Sequence, residues 1–308
     1  MKKITSVVHT YVQFFCLDDL IANNVKYYPF LRKLIPEPFE YGKNINKKVI
    51  RDNVAFDLNV SDYMQWYVYA DLEDNSWRYA LKCLNQFSVV IDVGANIGSF
   101  SLKLAHSVFK MAIHGVRIFS FEPNPYIFKS FGENLLKNKK ISSFIISEEI
   151  ALGSKNETIT LLLDQKNSGS SKVISSPDVE CIKVHCTTID TFFSANNLQR
   201  LDFLKIDVEG YEPFVIDGAL ETIKKFKPVI YCEITPAWFE KNMRSSDDLF
   251  LKLDGLGYKF YLDKGKRLHP FNYKSDQNAI KITGNTLQYN IVAVDSNDQK
   301  ANKVLLDI

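Results

Sequence analysis

Cysteine is scarce in this sequence. The five present, Cys16, Cys83, Cys181, Cys186 and Cys232, are odd in number and scattered, which argues against a disulfide framework and fits a reducing cytoplasm. Several lie inside apolar strand-like runs, where a reduced thiol packs as a small hydrophobe. An excess of charge of one sign is also lacking. Thirty-eight Lys and Arg against 36 Asp and Glu give a net charge of +2, so no global field favours nucleic acid or an acidic membrane as a partner. No stretch reaches the roughly 18 uninterrupted apolar residues that a membrane span requires. The start, "MKKITSVVHTYVQFFCLDDLIANN", places two lysines before an apolar stretch. His9, Gln13 and interleaved threonines interrupt it and no small-x-small site follows, so a signal peptide is not expected.

What is present is a chain of 308 residues with 46% hydrophobic content, enough for one large core with an extension. We expect an N-terminal extension over residues 1–80 and a main domain over 81–308. The extension carries an amphipathic helix near 5–21, the Pro-punctuated "YYPFLRKLIPEPFEYGKN", a strand at "NVAFDLNV", and helical material in "SDYMQWYVYADLED" and "NSWRYALKCLNQ". Its aromatics Tyr27, Tyr28, Phe30, Phe39 and Tyr41 suit stacking on a sugar face, a homodimer contact, or plain packing on the main domain.

From residue 88 short apolar runs alternate with helical patterns, the signature of a mostly parallel α/β sheet covered by helices. The runs are "SVVIDVG", "VRIFSFEP", "SSFIISEE", "LDFLKIDVEG" and "PVIYCEIT", with helices expected at 97–109, 125–138, 211–225 and 246–255. A hairpin, "ETITLLLD" with "ECIKVHCTTID", interrupts the series, and "YKFYL" and "LQYNIVAVD" close it with a reversed strand. Between the hairpin arms, "NSGSS" (Asn167 to Ser171) reads as a mobile tip or a flap over an acceptor.

Each of the five runs ends in an acid: Asp92, Glu122, Glu149, Asp207 and Glu233. Strand ends of a parallel sheet share one edge, where ligands of open α/β sheets bind. Such an edge repels a pyrophosphate, and the first turn reads Gly94-Ala95-Asn96-Ile97-Gly98, without the third glycine of a dinucleotide site. A nicotinamide oxidoreductase is thereby disfavoured. S-adenosylmethionine suits the edge, because its ammonium and sulfonium match the acids and its carboxylate matches backbone N–H groups at a helix start. Glu122 then takes the ribose hydroxyls and Glu149 the adenine amino group.

The pieces "VIDVGANIGSFSL", "FSFEPNP", "EIALGS", "TTIDTF", "LDFLKIDVEGYEPFVIDGA" and "PVIYCEI" resemble the FkbM-type methyltransferases, within the class I S-adenosylmethionine-dependent superfamily. The resemblance covers about residues 88–235. It implies a Rossmann-like sheet of about seven strands with the last reversed, and methylation of an oxygen, often on a sugar or polyketide. It also implies cofactor contacts at Asp92, Gly94, Asn96, Gly98, Glu122, Glu149 and Ile150. Relatives are expected to carry asparagine where this chain has Glu149.

Methyl transfer needs alignment of acceptor, methyl and sulfur, and a hydroxyl acceptor must lose a proton to a nearby base. Asp207 and Glu209, two residues apart, are the catalytic candidates, with Asp207 also a cofactor contact. Glu209 capping the helix that follows is the competing role. Lys205 either orients Asp207 or reaches solvent, and Glu233 either supports the acceptor or is structural. A divalent cation would suit carboxylate oxygens, but no spacing demands one. On a strand Cys181 and His185 face one way and Cys186 the other, which argues against a zinc site. The acceptor is expected to be a small molecule or glycan. A non-catalytic module that keeps the fold within a glycan-assembly complex is the remaining alternative.

Overall fold

A computed structural model of the chain describes residues 2–72, 76–164, 172–173, 181–265, 267–276 and 287–298. The first two strands, β1 (Asn46–Arg51) and β2 (Val54–Asn59), pair as an antiparallel hairpin. Then come β3 (Val89–Val93), β4 (Arg117–Phe121) and β5 (Ile145–Glu148), followed by β6 (Ala151–Leu152), β7 (Glu157–Leu162), β8 (Lys172–Val173) and β9 (Cys181–Thr187). The chain continues through β10 (Phe203–Ile206), β11 (Val229–Ile234), β12 (Tyr258–Asp263), β13 (Leu268–Phe271) and β14 (Tyr289–Asp295).

The main sheet has eight strands in the order β13-β12-β14-β11-β10-β3-β4-β5. The five runs that end in acids, β3, β4, β5, β10 and β11, are mutually parallel. Beyond β11 each neighbour reverses direction. The expected reversed strand is therefore present, and one strand more than expected, β13, sits at the edge. It contains Pro270, which an edge tolerates because the missing N–H is not needed there. The second sheet, ordered β6-β9-β7-β8, contains the expected hairpin as β7 and β9. On β9 His185 is exposed while Cys186 is buried, as strand alternation requires. The "NSGSS" segment lies outside the described residues.

All five residues of β3 are buried, as a central parallel strand covered on both faces must be. Val90 joins Phe56, Leu58 and Trp66 of the extension in one core cluster, whereas Val89, Ile91 and Val93 join Leu204, Ile206 and Phe239 on the other face. The extension thus closes one side of the sheet. Polar contacts fix it there. Asn134 accepts from the Asp57 N–H at 3.0 Å and donates to the Ile97 carbonyl at 3.2 Å. Asn138 accepts from the Ala55 N–H and donates to its carbonyl. Buried Lys103 lies 3.2 Å from Asp52.

Helix limits follow local chemistry. The expected first helix divides into Lys2–Phe14 and Asp18–Asn24, because Cys16 adopts φ +53° and two acids then restart the helix at its positive end. The helix expected over 211–225 divides into Glu212–Asp217 and Leu220–Phe226. Its break falls at Gly218, where a Cβ would stand 1.9 Å from the Gly153 carbonyl oxygen.

Candidate functional site

The β3 turn is pressed against the end of β10. Gly94 adopts φ +77°, and a Cβ on it would lie 1.9 Å from the Asp207 carbonyl oxygen, so only glycine fits. The N–H groups of Gly94 and Ala95 both donate to the Phe121 carbonyl at 3.0 and 2.9 Å, which ties the turn to β4. Gly98 caps the helix Ser99–Lys110 at φ +83°, and a Cβ there would stand 2.1 Å from the Phe131 ring. These glycines let the turn lie flat between two strands and let the helix pack closely on its neighbour.

Glu122 closes β4 and braces the same turn. One carboxylate oxygen accepts the Asn96 N–H and the other the Asn124 N–H, each at 2.9 Å. Burial pushes its carboxyl up to about 7, against the pull of those two N–H donors toward the ionised form. Each oxygen retains a lone pair when ionised, and Glu122 lines the cavity at this edge of the sheet.

Asp92 does not present its charge to that cavity. It is fully buried and is not among the cavity-lining residues. The physical reason is register: Asp92 lies beside Ser120 on β4 and Lys205 on β10, so all three point to the face covered by the helix Ser99–Lys110. There Ser101 donates to Asp92 at 2.7 Å, and its oxygen lies 2.8 Å from that of Ser120. The Lys205 ammonium lies 3.5 Å from Asp92 and 3.2 Å from Asp207, over the Phe100 ring. Lys205 is buried and lines the cavity, so of its two expected roles the structure has the one that reaches Asp207.

Asp207 and Glu209 both line the cavity. Glu209 stands at φ +55° and Gly210 at +100°, a sharp turn in which a non-glycine residue is strained. Glu212 ties the turn that precedes its own helix, whose N-cap carries no side-chain hydrogen bond. Its buried carboxylate accepts the Val208 and Gly210 N–H groups, each at 2.9 Å. Glu212 is a residue that sequence reasoning missed, although an acid at the start of "EPFVID" is the ordinary first-turn signal.

Two other acids stand apart from the cavity lining. β5 ends at Glu148, and Glu149 is exposed, whereas the next residue, Ile150, does line the cavity. Glu233 bonds Gln288, and its second oxygen is buried with no hydrogen-bond partner among the described residues. Burial first, then the charges of Asp207, Glu209 and Glu212, raise its carboxyl well above the ordinary range. The edge therefore brings together Glu122, Asp207 and Glu209 of the sequence-expected acids, with Asp92 beneath them.

The remaining wall comes from two unexpected places. Met64, Tyr67, Val68, Ser76 and Trp77 of the extension line one side, and Ile159 and Leu161 of the second sheet another. The aromatics Tyr27, Tyr28, Phe30 and Phe39 are exposed instead and take no part in the lining. Trp77 had a usable signal. A helix that leads into a strand through a short loop runs antiparallel to it, so the start of Ser76–Cys83 must lie level with the carboxyl end of β3.

A family model for the methyltransferase FkbM domain matches residues 92–260, over half of the chain. The chain belongs to the FkbM methyltransferase family. Among solved structures, the FkbM methyltransferase from Methylobacillus flagellatus KT is 16% identical with a TM-score of 0.44, covering 89% of this chain and 54% of that one. This FkbM chain thus spans about half the length of that relative. Precorrin-6y C5,15-methyltransferase from Geobacter metallireducens GS-15 is 17% identical with a TM-score of 0.36, over 72% of this chain and 86% of that one. SMU.1697c from Streptococcus mutans, solved in complex with SAH, is 10% identical with a TM-score of 0.39, over 71% and 94% of the two chains. No curated protein matches at a significant level. No helix among the described residues is long and apolar enough to cross a membrane.

Proposed function

We propose that this chain is an S-adenosylmethionine-dependent methyltransferase that methylates a hydroxyl of a sugar, polysaccharide or glycosylated metabolite, with residues 81–308 as the catalytic domain and 1–80 as an extension that completes its cavity. One observation carries the reading. Of the charged residues lining the cavity, Glu122, Asp207 and Glu209 are acids and Lys205 is the sole cation among the described residues, already engaged with two carboxylates. A phosphate-bearing cofactor would meet repulsion there, whereas a sulfonium and an ammonium would be drawn in. The donor set fits the group: Glu122 for the ribose hydroxyls, Gly94, Asn96 and Gly98 for the turn beneath it, and Ile150 for an apolar contact with the base.

When bound, the cofactor supplies an electrophilic methyl on sulfur. The chain aligns the acceptor and removes its proton. Asp207, whose carboxylate is shared with Lys205, orients the acceptor, and Glu209, held in the strained turn, takes the proton. Buried thiols such as Cys186 and Cys232 suit a reducing compartment.

The test is calorimetry with S-adenosylhomocysteine, followed by transfer of labelled methyl to a panel of sugars and glycosylated metabolites. Binding together with label on an acceptor oxygen supports the reading. Absence of binding by the purified parent ends it.

A further inference from the structure

The helix Lys2–Phe14 is mounted the wrong way round for a protein that meets only water. A surface helix normally turns its apolar stripe to the core. This one is pinned through polar side chains. His9 Nδ1 lies 2.5 Å from the Glu40 carboxylate, His9 Nε2 lies 3.0 Å from the Lys33 carbonyl oxygen, and Gln13 donates to the Glu40 carbonyl at 3.2 Å. From Val7 onward the buried residues of the helix are His9 and Val12. On the opposite side Val7, Tyr11 and Phe14 recur at helical spacing and are 55%, 61% and 78% exposed. Phe15, whose N–H continues the helix to the Tyr11 carbonyl, extends the stripe, and its ring contacts those of Tyr11 and Phe14. The helix packs on the 3-10 turn Pro29–Leu34, where Tyr28 and Phe30 pair their rings with both more than half exposed. Single exposed hydrophobes are ordinary, but an aromatic face spread over packed elements marks an interaction site.

Charge selects the occupant. Residues 1–48 hold eight Lys and Arg against four Asp and Glu, an excess of four in a chain whose net charge is +2. Three of those acids are already engaged: Asp18 and Asp19 lie 2.9 and 3.4 Å from Lys47, and Glu40 is taken by His9. A two-fold interface with a second copy would set this basic patch against itself. A helix with aromatics on one face and cations around it instead lies in the headgroup layer of an anionic bilayer, where a ring with one polar end, such as Tyr, is favoured. We propose that the extension docks this protein on an anionic lipid surface through Val7, Tyr11, Phe14 and Phe15, together with Tyr28 and Phe30. None of these six lines the cavity, so the proposal does not depend on the proposed reaction.

The experiment is co-sedimentation of the whole chain with vesicles of phosphatidylglycerol and phosphatidylcholine in equal parts, compared with vesicles of phosphatidylcholine alone. The parent is expected to bind the first about tenfold more strongly than the second and to be released by high salt. The double variant Tyr11→Gln, Phe14→Gln is expected to bind the anionic vesicles about tenfold more weakly. It should keep the parent's urea midpoint, because both side chains already stand in water. A parent that stays in the supernatant with both vesicle types overturns the proposal. So does a double variant that pellets as the parent does, or a parent that pellets equally with the two vesicle types. A dimer of the parent in sedimentation velocity, lost in the double variant and without vesicle binding, would give the face to a second copy and overturn the proposal as well. Binding of S-adenosylhomocysteine, measured apart from vesicles, tests the proposed function separately.

Discussion

Lys205 Nζ lies 3.5 Å from the buried carboxylate of Asp92. The ammonium satisfies a charge that has no access to water and at the same time reaches Asp207 at 3.2 Å, so it couples the floor of the cavity to its rim. Replacing Lys205 by Met removes the partner and leaves Asp92 buried among Ser101, Ser120 and apolar neighbours. Loss of one member of a buried pair costs about 3–5 kcal/mol. Chemical denaturation of Lys205→Met is expected to show a loss in that range, and the double variant Asp92→Asn, Lys205→Met is expected to recover part of it. A double variant as unstable as the sum of the singles would mean that the two groups do not interact.

Glu122 predicts a pH dependence of binding. Its carboxyl is pushed up to about 7 by burial, and ribose hydroxyls donate best to the ionised form. Affinity for S-adenosylhomocysteine should then be highest above that value and fall as pH drops through it, by up to about tenfold per unit. Calorimetry at pH 6 and pH 8 measures the ratio. Glu122→Gln is expected to bind more weakly at both and to show no such ratio, because it does not titrate. A parent whose affinity is the same at the two pH values would remove Glu122 from the ribose site.

The parallel strands and the glycine turn were legible because both are written in local chemistry: apolar runs of strand length, and a sequence whose turn admits no Cβ at Gly94. The acids were legible as strand ends but not as directions. Asp92 stands one residue before the end of β3, and the alternation that places Val90 in one core cluster and Ile91 in the other sends Asp92 into the core with Val90. Glu149 stands one residue past the end of β5, where chain direction is set by the turn into β6 and not by a sheet. Met64, on the helix Tyr63–Tyr69, is far in sequence from β3 and only tertiary packing brings it to the cavity, whereas the short link from the helix Ser76–Cys83 into β3 marks the level of Trp77. The edge strand β13 carries Pro270 and exposed His269, so nothing in its composition announces a strand.

A second carboxyl predicts how stability follows pH. Burial raises Glu212 to about 7, against its backbone N–H bonds and assisted by the charge of Asp207. The sign follows from linkage: between the unfolded value near 4.5 and about 7 the folded state holds the extra proton. Its stabilising contribution is complete below the lower value and is lost as pH rises through the upper one, by on the order of 1–3 kcal/mol. Glu122 and Glu233 act in the same direction. Asp52, lowered by Lys103 and other cations against its burial, contributes the opposite slope, but below pH 4. Urea unfolding between pH 5.5 and 8 is expected to show stability declining, with a smaller decline in Glu212→Gln. An unchanged slope in that variant would show that Glu212 does not titrate in this window.

Asn134 separates a role in anchoring the extension from a role in shaping the site. Its amide is fully buried and spans from the Asp57 N–H on β2 to the Ile97 carbonyl in the glycine turn. Asn138 makes the equivalent pair of bonds to Ala55, also on β2, but has no such bond to the turn. Asn134→Ala strands one backbone donor and one acceptor, and Asn138→Ala removes the bonds to one donor and to the Ala55 and Asn134 carbonyls, so each should lose about 1–3 kcal/mol of stability in denaturant titration. Their effects on ligand binding should differ. Asn134→Ala frees the carbonyl that fixes Ile97, next to Asn96 whose N–H braces Glu122, and is expected to weaken S-adenosylhomocysteine binding several-fold. Asn138→Ala leaves the turn untouched and should bind as the parent does. Equal affinities in the two variants would show that the turn holds its shape through Gly94 and Gly98 alone, and that the extension reaches the cavity only through the side chains that line it.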